Sequence, residues 1–163
     1  MKIDKNFVSR RITRTATITL QGGIENVFPL FGAFEEKKWA EGWHPTLIYP
    51  VSEKMEEWLT FKTRGHVHGE AENTWIVVRY QPADHFVQYL VIAANRYLTI
   101  SVKCDKMTDD VTRAEITYVS TGLDNSGNET GEHIIERMYA QSLKDWEEAI
   151  NFYLKAGKTL KQD

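Results

Sequence analysis

Near the end of the chain, Ile135, Tyr139, Ser142, Leu143, Trp146, Ala149, Ile150 and Tyr153 recur at three- and four-residue spacing. Glu132, Glu136, Lys144, Glu147, Glu148 and Lys155 fall on the opposite side. A stripe of this kind belongs to an amphipathic helix that buries one face. It predicts a single helix from about Gly131 to Lys155, ~40 Å long at 1.5 Å rise per residue. A strand of seven to ten residues spans only roughly 23–33 Å. The helix therefore reaches across a whole sheet, and the space between the two is a natural cavity. Trp146 lies at the centre of the stripe and is expected among the most buried residues. Ser142 and Ala149 on the same face either allow a close approach to the sheet or line a pocket. The turn-rich stretch from Asp124 to Asn128 precedes the helix, with Ser126–Glu129 as one capping box and Thr130 as the cap of a later start.

What comes before reads as strands. From Arg11 to Leu20, Ile12, Ala16, Ile18 and Leu20 share one parity, broken by Arg14, while Thr13, Thr15, Thr17 and Thr19 take the other. That alternation marks a half-buried strand. Ile24, Val27, Phe28 and Phe31 then follow helical spacing until Pro29 and Gly32 interrupt it. A second short helical piece is predicted from Glu35 to Trp39, before a loop that carries Trp39 and Trp43. Further strands are predicted at 46–49, 56–63, 74–80, 86–93, 97–103 and 111–120. Short connections between them imply antiparallel hairpins. The expectation is one α+β domain over residues 1–163, with about seven antiparallel strands.

Several functions are poorly served by this composition. A net charge of −3 with interspersed signs gives no basic field for nucleic acid. Cys104 is the only cysteine, so no internal disulfide and no CxxC motif exists. No apolar run is long enough to span a membrane and no signal-peptide pattern opens the chain, so a cytoplasmic protein is expected. His66 and His68 are two apart, but His44, His85 and His133 stand far off, short of the ligand set a zinc site needs. No metal and no cofactor is expected. Gly157-Lys158-Thr159 resembles the end of a phosphate loop but follows a helix, and Gly157 reads as its C-cap.

The order of elements resembles the helix-grip fold of the START-like, or SRPBCC, superfamily. Local similarity is greatest in Ile18-Thr19-Leu20 through Phe28-Pro29-Leu30-Phe31, followed by Trp39 and Gly42-Trp43. The resemblance implies a curved sheet wrapping a long C-terminal helix, with two short helices between the first and second strands. Members include the major birch pollen allergen, lipid-transfer domains, polyketide cyclases and co-chaperones that activate a chaperone ATPase. A shared fold does not select among such functions, and no catalytic residue carries over.

Aromatic residues make up 12% of the chain and suit a pocket wall as well as a core. The expected function is binding of an apolar or aromatic small molecule between sheet and helix. Phe31, Trp39, Trp43, Phe61, Leu98, Ile100, Tyr118, Tyr139 and Trp146 are the expected walls. An alternative is a cyclase- or dehydratase-like enzyme using acid–base groups in that cavity. A third is a protein-interaction module. Arg79, Arg96, Arg113 and Glu115 lie on predicted strands, where the convex solvent face is their expected place.

Overall fold

The computed structural model describes residues 4–65 and 69–161, so His66 and His68 lie outside the described residues. Seven strands form one antiparallel sheet: β1 (Arg11–Leu20), β2 (Thr46–Tyr49), β3 (Thr60–Thr63), β4 (Asn73–Gln81), β5 (Phe86–Ile92), β6 (Arg96–Thr108) and β7 (Val111–Gly122). Their spatial order is β1-β7-β6-β5-β4-β3-β2. The chain crosses once, from β1 on one edge to β2 on the other, through a short helix α1 (Ile24–Val27) and 3-10 turns at Phe28–Phe31 and Glu35–Lys38. After that crossing, every strand is laid beside the one before it.

The strand pattern follows the alternation in the sequence. Ala16, Ile18 and Leu20 point inward, as do Ala114, Ile116 and Tyr118, and Leu98, Ile100 and Val102. Two differences have physical causes. The third strand begins at Thr60 rather than near Glu56, because Trp58 sits at φ 71° while its N–H donates to the Val77 carbonyl. That left-handed residue turns the chain out of the ladder and leaves the Trp58 ring in solvent. The sixth and seventh strands run on to Thr108 and from Val111, so the hairpin is longer than the charged stretch between them suggested.

The closing helix differs more. It is two helices, α2 (Asn125–Tyr139) and α3 (Lys144–Ala156), rather than one from Gly131 to Lys155. Its start is set by Asp124, whose carboxylate accepts from the Gly127 N–H at 2.7 Å and from the Ser126 hydroxyl at 2.7 Å. Neither Ser126 nor Thr130 is the cap. The interruption lies at Ser142 and Leu143, with φ of 52° and 58°. Both segments keep an apolar stripe, so periodicity continues across a break it does not reveal. Leu143 is driven inside at the turn, only 1% exposed, whereas Ser142 is turned outward. Trp146 is consequently half-buried, and Ile135, Leu143 and Ile150 are the residues fully enclosed on this face. Gly157 ends α3 with φ 68° and its N–H on the Tyr153 carbonyl, the C-cap read from the sequence.

Ser142 tests the break. Its side chain is exposed, so substitution acts mainly on the backbone. A β-branched residue in the left-handed region costs roughly 1–2 kcal/mol, and Ser142→Val is expected to lose that much in chemical denaturation. Ser142→Gly is expected to lose nothing. Equal effects of the two substitutions would contradict the bend.

Candidate functional site

The crossing segment carries the site because its backbone is pinned by rings. The Pro29 and Gly32 interruption leaves the carbonyls of Leu30, Phe31 and Ala33 without helical partners. Ring donors take them: the Trp39 Nε1 on the Leu30 carbonyl, the Tyr89 hydroxyl on Phe31 and the Trp43 Nε1 on Ala33, each at 2.7 Å. Buried carbonyls need such partners. The same bonds hold Trp39 and Trp43 against the sheet rather than on an open loop, and Trp39 is only 3% exposed.

Seven of the nine residues expected as walls fall into two aromatic groups. In the first, Trp39 packs on Phe31 at 6.3 Å and on Trp146 at 5.5 Å between ring centres. Tyr118 meets Trp146 at 6.3 Å and Tyr139 at 5.9 Å. In the second, Trp43 meets Phe61 at 6.0 Å and Trp75 at 5.3 Å, and Phe61 stacks on Trp75. Tyr89 closes this group against Phe61 and Trp75. Leu98 and Ile100 on β6 form the floor, with Ile100 in register between Tyr89 and Tyr118. Phe31, Trp39, Phe61, Leu98, Ile100 and Tyr118 are buried, and Trp43, Tyr139 and Trp146 are partly so.

Surface clefts adjoin each group. One of about 230 Å³ lies between Trp39 and Trp146, edged by Glu41 and Asp145. Another of about 420 Å³ is lined by Trp43, His44, Thr63 and Arg64.

Between the two groups stands Glu36, absent from the residues selected by sequence. The carboxyl is surrounded by protein, and burial raises its pKa to about 8 from the ordinary 4.5. The residue as a whole is half-buried and keeps some contact with solvent. Its charge acts on both Tyr89 and Tyr118, whose hydroxyls are held well above the usual range, chiefly by burial. Tyr139 is raised likewise by burial, and its hydroxyl donates to the Ile116 carbonyl at 2.9 Å. No described residue hydrogen-bonds the Glu36 carboxyl or the Tyr118 hydroxyl. The ring donors of Trp39, Trp43, Tyr89 and Tyr139 are by contrast used on backbone carbonyls, and that of Trp75 on the Thr63 hydroxyl. The sequence signal that marks Glu36 is slight: an acidic residue three before a buried tryptophan, in a stretch where Glu35, Lys37 and Lys38 look equally solvated.

A second polar cluster lies at the far end of the sheet. Arg96, expected on the convex face, is inside with no exposed surface, paired to Glu70 at 2.6 Å and to Asn95 at 3.0 Å. Its position in the inward parity of β6 dictates this. A buried guanidinium is stable only when paired, and the pair ties the β3–β4 connection to the start of β6. Arg79, Arg113 and Glu115 do face solvent. Cys104 is buried in the core, its thiol pushed up to about 12 by burial, an inert setting. Among the described residues no group of three or more metal-ligating side chains occurs, and no helix is long and apolar enough to cross a membrane.

Solved structures share this arrangement across most of their length. The Zhui aromatase/cyclase from Streptomyces sp. R1128 is similar at a TM-score of 0.64, with 14% identity over 94% of this chain and 100% of that one. Norcoclaurine synthase from Thalictrum flavum, in complex with dopamine and hydroxybenzaldehyde, gives 0.64 and 11%, covering 94% and 91%. Ara h 8.0201 gives 0.66 and 10%, covering 90% and 99%. No protein-family model matches this chain, and no curated protein does. At these identities the likeness shows the fold, and the fold is a helix-grip fold.

Glu36→Gln isolates the buried acid. Its folded pKa lies above the unfolded one, so its stability contribution is full below about pH 4.5 and is lost as pH rises toward about 8. The substitution is expected to raise stability by ~2–4 kcal/mol at pH 8 and to change little at pH 4. Denaturation of both proteins across that range checks it. A pH-independent difference would place the carboxyl in water.

Proposed function

We propose that this domain binds an aromatic or apolar small molecule between the sheet and the α2–α3 arm. One observation carries the reading: two aromatic groups each border a surface cleft, and the Glu36 carboxyl, whose pKa burial raises to about 8, acts on a tyrosine of each group. Ligand sites typically combine apolar walls with a few polar groups, and a domain needing only a core gains nothing from leaving such groups unpaired. The fold neighbours support this, since a synthase bound to dopamine and hydroxybenzaldehyde and an aromatase/cyclase share the architecture. An interaction module draws no support from them.

A second reading rests on Glu36 itself. A carboxylic acid with a pKa near 8 exchanges a proton readily at neutral pH. Beside the Tyr118 hydroxyl it suits cyclisation or dehydration of a bound aromatic precursor, with Glu36 as the base or acid and Tyr118 as hydrogen-bond donor.

Titration with aromatic ligands is expected to change tryptophan fluorescence saturably, because Trp39, Trp43 and Trp146 border the site. Trp43→Phe should reduce that signal without abolishing binding measured by calorimetry. A panel of aromatic and aliphatic compounds that produces no saturable change by either method would overturn the reading.

A further inference from the structure

We infer that the cleft beside Trp43 holds the carboxylate of a small aromatic acid, with Arg64 as counter-ion, His44 as a second donor and the indole as the wall for the ring. This rests on the small-molecule reading above and gives that cleft its class of ligand.

The cleft is built from two segments that the sheet brings together. Gly42, Trp43 and His44 come from the loop before β2, and Thr63, Arg64 and Gly65 from the end of β3. Thr46 pairs with Lys62 and Leu47 with Phe61, so the antiparallel register sets the residues before β2 beside those that close β3. The space measures about 420 Å³, within the range of roughly 300–1,000 Å³ usual for small-molecule sites. A Cβ on Gly42 would meet no atom within 4 Å, so this rim is open.

Trp43 is fixed in place there. Its Nε1 donates to the Ala33 carbonyl at 2.7 Å, and its ring meets Phe61 and Trp75 edge to face. With that donor spent, the half-buried indole offers the cleft carbon surface, which suits another aromatic ring.

The polar lining is one-sided. The Thr63 hydroxyl is engaged, donating to the Arg64 carbonyl at 3.2 Å and accepting from the Trp75 Nε1 at 2.9 Å. The His44 ring and the Arg64 guanidinium have no hydrogen bond or ion pair with any described residue. No carboxylate is among the described lining residues. The acids just beyond are committed, Glu70 to Arg96 and Glu72 to Lys62 at 3.8 Å. A guanidinium beside an apolar wall therefore lacks only an anion, and its planar fork matches a carboxylate through two parallel hydrogen bonds. The cleft at Trp39 and Trp146 differs in kind, with no basic side chain among its described lining residues.

Calorimetry on the full chain at pH 7 and low salt compares 3-phenylpropanoate with its neutral amide and with hexanoate. The aromatic acid is expected to bind about five- to tenfold more tightly than either, the scale of an ion pair in a partly open cleft. Its advantage over the amide should shrink as salt is raised. In Arg64→Gln the acid should fall to the level of the amide, whereas Arg64→Lys keeps part of the difference and Arg79→Gln, on the solvent face, keeps all of it. Arg64 is exposed, so these changes leave the core untouched. Equal or tighter binding of the amide or of hexanoate, or acid binding that survives in Arg64→Gln, overturns the inference. Binding of the amide in that case leaves the small-molecule reading standing. If none of the three binds, the inference falls, and the wider panel of neutral compounds decides separately whether the small-molecule reading falls with it.

Discussion

Three carbonyls near the start of the chain hold the rest in place. Between β1 and β2 the chain crosses from one edge of the sheet to the other, and Pro29 with Gly32 prevents a regular helix from making that crossing. Leu30, Phe31 and Ala33 instead accept from Trp39, Tyr89 and Trp43. Each bond joins a backbone group that burial would otherwise leave unpaired to a large ring that must find a partner for its own polar atom. The crossing thus becomes a lid tied to β5 and to its own following turn. Glu36 is carried inward because the turn at Glu35–Lys38 hangs from those ties.

The closing arm completes the enclosure by bending. A straight helix would hold every residue of the stripe at one distance from a curved sheet. The left-handed pair at Ser142 and Leu143 lets α2 follow the β1–β7 end while α3 turns along β1. The bend buries Leu143 and leaves Trp146 only half-covered, beside Trp39 and Tyr118. The half-covered tryptophan is where the interior meets a cleft, so the same bend that lowers its burial opens the site.

Two buried charged groups meet burial in opposite ways. Arg96 is paired through its terminal nitrogens with Glu70 and Asn95, though its Nε is left without a hydrogen bond, and it serves as a tie between elements. Glu36 has no such partner, and its proton affinity rises in consequence. A paired buried charge is a structural device, whereas a carboxyl whose proton affinity is raised by burial marks a candidate functional position.

Strands, hairpins and the amphipathic face of α2 and α3 were legible in the sequence, because side-chain periodicity is a local property of strand and helix geometry. The inward positions of Phe31, Phe61, Leu98, Ile100 and Tyr118 follow from that parity alone. The break at Ser142 was not legible, since the apolar spacing continues through it and neither Gly nor Pro marks it. Glu36 was equally silent. Four consecutive charged residues read as solvated, and only the hydrogen bonds of Trp39, Trp43 and Tyr89, which come from distant parts of the chain, turn one of the four inward. Arg96 shows the converse: its inward parity was visible, but its burial required Glu70 from another connection. Local pattern set which faces are apolar, whereas long-range packing decided which polar groups were trapped behind them, because only the folded chain brings an unpaired group and its surroundings together.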